Sequence, residues 1–249
     1  MIRKYTYGNP FCTDAVVKEI TAEDHTLPYL KQTVQDGRLI FSCRLGEKDL
    51  VYGLGENVRG INKRGWLYKS CCADEPNHLE DRHSLYASHN FLVVAGEETF
   101  GVFFDYPGII SFDVGYTHMD ELVITLEEPD ADVYILNGSG IRSIVKEFRG
   151  LIGRSYIPPR WAFGYQQSRW GYQCEADIRE VAEEHRKNHL PLDSIYLDID
   201  YMERYKDFTI DEERFPDFEG LVRDMKAQNI RLVPIIDAGV KVEEGYPVY

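Results

Sequence analysis

The chain has 249 residues and carries a formal net charge of −14. Hydrophobic residues make up 43% of it and aromatic residues 13%, which is enough for a packed core and excludes a disordered chain. The negative charge disfavours nucleic acid and anionic membrane surfaces as partners. No run approaches the roughly 18 apolar residues that span a bilayer, so no membrane segment is expected.

The cysteines indicate a reducing compartment. There are five, an odd number at irregular spacing, and the neighbours Cys71 and Cys72 rarely bridge each other. Residues 1–11 contain two basic side chains but no apolar run behind them, so no signal peptide is predicted. We therefore expect reduced thiols and a cytoplasmic protein.

Residues 1–139 are predicted to form an all-β domain. Short alternating or β-branched runs, bounded by turn residues, indicate strands within residues 37–45, 49–56, 65–73, 90–106, 108–115 and 121–138. The segment 90–106 is predicted to be a hairpin around Gly96. Many short strands at this spacing are typical of a β-sandwich.

Residues 140–157 are predicted to be a helical linker. Apolar side chains recur at positions 141, 144, 145, 148, 151 and 152, which is helical spacing. Pro158 and Pro159 follow, and two prolines cannot continue a helix. We expect a domain boundary at this point.

Residues 158–249 alternate between strand and helix patterns. Strands are predicted at 161–168, 194–200 and 230–237, and helices at 174–190 and 217–229, the latter with Val222 on its inner face. This rhythm implies a parallel sheet or barrel. A (β/α)₈ barrel needs roughly 200 residues, so we predict only its first strands and helices. We expect more polypeptide, on the same chain or on a separate one, to supply the missing strands. The remaining barrel polypeptide or a homo-oligomer is the expected protein partner.

Polar or aromatic residues follow the predicted barrel strands. Trp170 follows the first strand, and Asp198 and Asp200 stand at the end of the second. Active sites of parallel barrels lie at the carboxyl ends of the strands, so a ligand is expected here. By alternation, Asp198 and Asp200 should point to the same side as Tyr196.

The residues alone leave structural roles open. A carboxylate at a strand end also caps a turn or pairs with an arginine, and Arg204 is available. Trp170 equally fits a packed core. His185 and His189 have the spacing of two metal ligands on a helix, but no third ligand is evident and no metal is expected.

Five segments form a linked set of motifs over most of the chain. They are "VYGLGE" (51–56), "LYASHNF" (85–91), "RWAFGYQQSRWGYQ" (160–173), "PLDSIYLDIDYM" (191–202) and "FTIDEERFPDFEGLVRDMKAQNIRLVPIIDAGV" (208–240). In this order and spacing they resemble glycoside hydrolase family 31, the α-glucosidase and α-xylosidase family. The resemblance implies a β-sandwich followed by the start of a (β/α)₈ barrel.

The resemblance also implies an activity. Members of glycoside hydrolase family 31 include retaining, exo-acting enzymes that release terminal non-reducing α-linked glucose from short oligosaccharides. They use two catalytic aspartates and no cofactor. The family's "W-x-D-M-N-E"-like nucleophile motif and its acid/base segment do not occur in residues 1–249, so no catalytic residue is assigned there. An α-xylosidase of the same family and a non-catalytic carbohydrate-binding fragment are the alternatives.

The resemblance further implies a set of substrate-binding residues, namely Asp74, Trp170, Asp198, Ile199 and Ile235. The position of Asp198 binds sugar hydroxyls, that of Trp170 lines the same subsite, and the two isoleucines form an apolar wall.

Asp74 matches an aspartate that a loop of the sandwich carries over the barrel mouth. Its flanks, "CCADEPN", depart from the family's "W-N-x-D" pattern, and Asp81 is the rival for this role.

Overall fold

The computed structural model describes residues 1–249 and divides them into two units, residues 1–155 and residues 156–249. None of its three α-helices has the length and apolar character of a membrane span.

The first unit is built on two five-stranded antiparallel sheets. In spatial order, the first sheet contains β1 (Ile2–Tyr7), β10 (Ala131–Leu136), β7 (Phe100–Asp105), β6 (Ser88–Ala95) and β4 (Leu50–Gly55). The second contains β2 (Lys31–Gln35), β3 (Arg38–Arg44), β9 (Glu121–Leu126), β8 (Ile110–Val114) and β5 (Trp66–Ser70).

The core of this unit lies between the two sheets. Strand β9 alternates buried and half-buried residues, and Leu122, Ile124 and Leu126 are fully buried. They pack with Phe41 of the second sheet and Phe104 of the first. Side chains that alternate across each strand thus fill one shared apolar layer, as in a sandwich. The predicted β-sandwich is confirmed, including the hairpin of β6 and β7.

One helix packs on the outer face of the first sheet. Helix α1 (Ile141–Leu151) buries Ile144, Phe148 and Leu151 against that face. The ring of Phe148 stacks on Phe91, with 3.8 Å between centroids. We predicted a linker for residues 140–157, but the structure groups the helix with the sandwich because its apolar face is buried there. The division between the units falls after Ser155.

The second unit is a partial barrel with one parallel sheet in the order β11 (Gln166–Arg169), β12 (Ser194–Leu197), β13 (Arg231–Pro234). Its helices are α2 (Glu175–Lys187) and α3 (Phe218–Ala227), and three short 3₁₀ helices span Arg160–Phe163, Ile199–Tyr201 and Glu203–Tyr205. The predicted strand–helix alternation and the parallel sheet are confirmed.

Near the start of each of these two α-helices, an aspartate side chain accepts hydrogen bonds from backbone amides. The Asp217 carboxylate accepts a hydrogen bond from the Gly220 amide at 2.9 Å, and Asp177 accepts one from the Gln173 amide at 2.7 Å. Leu221 of α3 is buried, but Val222 is 38% exposed. The prediction that Val222 faces inward is wrong, because it lies one residue beyond the buried stripe.

The first predicted barrel strand is shorter than expected. We predicted a strand at 161–168, but Arg160–Phe163 forms a 3₁₀ helix that directly follows Pro159. Pairing with β12 starts at Gln166. A proline at the N-terminus of a helical turn is favoured by its fixed φ angle, and this turn displaces the strand start.

Candidate functional site

The register of the parallel sheet aligns the ends of its three strands. Arg169 of β11 pairs with Leu197 of β12, which pairs with Pro234 of β13. The residues that directly follow this row are Trp170, Asp198 and Ile235. An aromatic, an acidic and an aliphatic residue therefore leave the sheet at one edge, the edge where parallel barrels bind ligands.

Trp170 is available to a ligand at this edge. Its side chain is 70% exposed, so the alternative of a packed core position does not apply in this structure. Gly171 follows with φ of 107°, a left-handed conformation that other residues rarely adopt. An exposed aromatic ring next to a carboxylate supplies an apolar face on which the C–H surface of a sugar can pack.

Asp198 has one committed carboxylate oxygen. Its Oδ1 accepts a hydrogen bond from the Ile199 amide at 2.8 Å, which starts the 3₁₀ helix and ends the strand. Its Oδ2 makes no hydrogen bond within the chain. The residue is half-buried. Its bond to the Ile199 amide fixes the orientation of the carboxylate, and Oδ2 remains free to accept a hydrogen bond from a ligand.

Asp200 has a different environment from Asp198. It lies in the 3₁₀ helix and is only 5% exposed, with its Oδ1 at 3.5 Å from the Tyr205 hydroxyl. Its Oδ2 is buried without a partner. The alternation on which we based a shared side for Asp198, Asp200 and Tyr196 ends with the strand at Leu197, so it does not extend to the two aspartates.

Ile199 and Ile235 lie on segments that one hydrogen bond ties together. Both side chains are half-buried. The Tyr201 hydroxyl donates to the Ile235 carbonyl oxygen at 2.9 Å. Burial, and to a smaller extent Asp207, raises the pKa of Tyr201, which keeps this hydroxyl protonated as a donor. The two isoleucines therefore keep a fixed relation at the strand-end edge.

Sequence reasoning missed the role of Tyr201. Its partner lies 34 residues further along the chain, and nothing local in "DIDYM" indicates that contact. The charged residues around Glu243 were missed for the same reason. Glu243 pairs with Arg204 and with Lys241, and so links the turn after β12 to the segment after β13.

Asp74 belongs to the first unit and stands in the loop between β5 and β6. It is exposed, and its Oδ1 accepts a hydrogen bond from the Tyr86 hydroxyl at 2.9 Å. This bond to a carboxylate raises the pKa of Tyr86. Arg59 donates to the Glu80 carbonyl oxygen in the same loop. The rival, Asp81, is exposed, and its side chain makes no hydrogen bond or ion pair.

The structure brings four of the five predicted residues, Trp170, Asp198, Ile199 and Ile235, to one edge of one sheet. Asp74 is part of the other unit. No group of three or more His, Cys, Asp or Glu side chains is arranged to hold a metal ion. The Nδ1 atom of His185 lies 2.8 Å from the Val181 carbonyl oxygen of its own helix.

Two family models match the chain. Residues 5–113 match the model described as "Glycosyl hydrolase 31 N-terminal galactose mutarotase-like domain". Residues 155–249 match "Glycosyl hydrolases family 31 TIM-barrel domain". The first match lies within the first unit, and the second covers the whole second unit and begins one residue before it.

Similar proteins agree with these matches. The chain is 38% identical over 207 residues to Alpha-glucosidase 2 of Bacillus thermoamyloliquefaciens, covering 82% of this chain and 26% of that protein. It is 28% identical to an alpha-glucosidase of Saccharolobus solfataricus, covering 98% of this chain and 36% of the relative. This chain thus spans only about a quarter to a third of the length of either relative.

A solved structure is also similar. It is a dextranase variant of Flavobacterium johnsoniae in complex with isomaltotriose, with a TM-score of 0.76 and 27% sequence identity. The match covers 85% of this chain and 26% of that one.

Proposed function

This chain belongs to glycosyl hydrolase family 31, and from that premise we propose that the protein is a retaining, exo-acting α-glucosidase. It would release terminal non-reducing glucose from short α-linked oligosaccharides. The observation that carries the proposal is the register-aligned row of strand ends that presents Trp170, Asp198 and Ile235 at one edge. Two relatives described as alpha-glucosidases and a dextranase bound to isomaltotriose support the substrate class.

The proposed glucose contacts follow from the chemistry at this edge. Asp198 keeps Oδ2 free, and a carboxylate oxygen accepts a charge-assisted hydrogen bond from a sugar hydroxyl. Such a bond contributes about 1.5–3 kcal/mol. Trp170 offers its exposed ring to the C–H face of the sugar, and Ile199 with Ile235 forms the apolar wall beside it. For Asp74, a sugar contact stays a prediction of the family resemblance.

The catalytic aspartates of this mechanism lie outside residues 1–249 in our proposal. One attacks the anomeric carbon, and the other protonates the leaving group and then activates water. Further barrel polypeptide, on the same chain or on a separate one, would supply the remaining strands and these two aspartates. Support comes from large apolar side chains that the second unit leaves more than half exposed, among them Phe163, Phe208, Ile236 and Val242.

We also propose a cytoplasmic location. All five cysteines are free, including the neighbours Cys71 and Cys72. Free thiols at exposed positions persist in a reducing compartment and are oxidised in secreted proteins.

The experiment that tests this function compares two chromogenic substrates. The protein expressed from its complete natural gene should hydrolyse para-nitrophenyl α-glucoside with a larger kcat/KM than the α-xyloside. Trp170→Ala should lower kcat/KM for the glucoside and leave the circular dichroism spectrum unchanged, because the ring is exposed. A preference for the xyloside would identify an α-xylosidase, and glucose binding without turnover of either substrate would identify a carbohydrate-binding protein.

A further inference from the structure

A second cleft lies in the first unit, and the α-glucosidase proposal does not use it. It has a volume of about 800 Å³. Its walls come from the end of β5 at 70–72, the start of β6 at 88–90, the end of β7 with the following turn at 103–109, and the segment 13–15. All of these residues belong to the same unit.

Hydrogen bonds fix the walls of the cleft. The Asn90 side chain donates to the Tyr106 carbonyl oxygen at 3.1 Å and accepts from the Ser70 hydroxyl. The Cys71 amide donates to the Ser88 hydroxyl at 3.2 Å. The ends of three strands are thus cross-linked before any ligand arrives, which lowers the ordering cost of binding.

Asp105 is the unusual group in this cleft. It is 8% exposed, and its Oδ1 accepts a hydrogen bond from the Thr13 hydroxyl at 2.6 Å. Its register partner on β10 is Asp132. The Asp132 carboxylate forms an ion pair with Lys4 at 2.8 Å and accepts a hydrogen bond from the Thr6 hydroxyl at 2.6 Å, so these two donors are not available to Asp105. Asp105 therefore forms no ion pair, and its Oδ2 makes no hydrogen bond within the chain.

Asp105 offers one free acceptor oxygen, Oδ2, to a ligand in this cleft. Burial, and to a smaller extent the neighbouring charge of Asp132, raises the pKa of Asp105, while the Thr13 hydroxyl opposes that shift. The Oδ2 atom of Asp105 keeps solvent-accessible surface, unlike the fully buried and unpartnered Oδ2 of Asp200, so a ligand hydroxyl can reach it in place of water. The cleft is the route by which a ligand donor can reach Asp105, since Asp105 lines it.

The other lining residues narrow the class of ligand. No Lys or Arg lines the cleft, while Asp14 and Asp105 do, so an anionic ligand is disfavoured. No metal-binding cluster is present. The His89 ring makes no hydrogen bond within the chain, and Phe103 and Ile109 provide apolar surface. A ligand rich in neutral hydroxyl groups matches this combination.

We propose that this cleft is a second carbohydrate site, which binds a neutral gluco-oligosaccharide through hydroxyl groups that donate to Asp105. His89 supplies one further hydrogen bond, because a neutral imidazole carries one donor and one acceptor nitrogen. The choice of glucose as the sugar unit rests on the proposed α-glucosidase function. The site itself does not, since all of its lining residues belong to the sandwich unit.

Two cysteines report on occupancy of the cleft. Cys71 and Cys72 line it, and Cys72 is exposed. The probe is maltotriose with sulfur in place of its glycosidic oxygens, so that the proposed enzyme does not hydrolyse it during the experiment. The measurement is the rate at which iodoacetamide alkylates these two thiols, followed by peptide mass spectrometry. At ten times the dissociation constant about a tenth of the sites stay empty, so the rate should fall about tenfold. Cys174 in the second unit is the internal reference.

Variants separate this site from the strand-end site. Protection of Cys71 and Cys72 should persist in Asp198→Asn, which disables the proposed glucose subsite, and should be lost in Asp105→Asn. Asn keeps the shape of the side chain and can still accept from Thr13. If Asp105→Asn fails to fold by circular dichroism, His89→Ala decides, with saturation-transfer NMR of maltotriose as the second readout.

The proposal is overturned if maltotriose fails to slow alkylation up to its solubility limit, or if protection survives in both Asp105→Asn and His89→Ala. Protection by spermidine but not by maltotriose would also overturn it and would identify a cation site instead. If maltotriose protects the two thiols in a protein that shows no glucosidase activity, the proposed α-glucosidase function is refuted and the proposal of a second carbohydrate site stands.

Discussion

Replacing Phe148 by alanine should remove much of the stability of the first unit. Phe148 is 6% exposed and stacks on Phe91 at 3.8 Å, with Phe103 at 5.3 Å. Truncation of a buried phenylalanine costs about 3–5 kcal/mol. Each aromatic pair adds about 0.5–1.5 kcal/mol beyond burial, so we expect Phe148→Ala to fall at the upper end, about 4–5 kcal/mol.

The assay is urea unfolding followed by circular dichroism. Val145 lies on the same helix and is 39% exposed, so Val145→Ala is the matched control. The control should change the free energy of unfolding by no more than about 0.5 kcal/mol. If both variants lose the same small amount, helix α1 does not pack on the sheet, and our grouping of residues 140–155 with the sandwich is refuted.

Three further predictions follow from single contacts. A Cβ atom on Gly101 would lie 2.6 Å from Ile144, so Gly101→Ala should cost about 1–3 kcal/mol of unfolding free energy, whereas Gly150→Ala, in open space on α1, should add up to about 1 kcal/mol. The raised pKa of Asp105 means that its ionisation destabilises the fold as the pH rises. Asp105→Asn should therefore be more stable than the natural chain in thermal unfolding at pH 7. The difference in stability should vanish below pH 3.8, the ordinary pKa of an aspartate, because both forms are then neutral. A difference that does not change with pH would contradict this. Burial raises the pKa of Cys43 to about 12, against an ordinary value of 9.0, so at pH 8 its thiolate is roughly a thousandfold scarcer than for an ordinary thiol, and iodoacetamide should modify it far more slowly.

The sandwich strands with strong alternation were predictable from the sequence. Strands β8 and β9 alternate buried residues with more exposed ones, whereas β6, β7 and β10 are continuous apolar runs that are buried on both faces. Strand β2, "KQTVQ", is exposed at every residue, so no buried face marks it in the sequence. Strand β1, "IRKYTY", is likewise too polar to stand out, and its pairing with β10 depends on residues about 130 positions away.

The site was predictable as a set of strand ends but not as a geometry. That Trp170 and Asp198 each directly follow a predicted strand can be seen from the local sequence. The strand register that places these residues in one row depends on pairing between distant segments. Asp198 also shows where the pattern fails, because its bond to the Ile199 amide ends the strand before Asp200, which alternation alone cannot indicate.

Helix α1 illustrates the same limit. Its helical periodicity predicted the element, but periodicity does not identify the surface that an apolar face covers. Phe148 has the same spacing in a linker as in a packed helix, and only its contact with Phe91 decides.

The most direct test of our account is the kcat/KM for para-nitrophenyl α-glucoside of the protein expressed from its complete natural gene, measured beside its Asp198→Asn variant. The matched control is Asp36→Asn, which makes the same chemical change at an exposed turn. Asp36 has a left-handed φ of 50°, and asparagine adopts this conformation as readily as aspartate does. Loss of a charge-assisted hydrogen bond of about 1.5–3 kcal/mol predicts a fall of roughly 10- to 150-fold for Asp198→Asn and no change for the control. Equal kcat/KM values for all three proteins would contradict the claim that this strand-end edge binds the glucose unit.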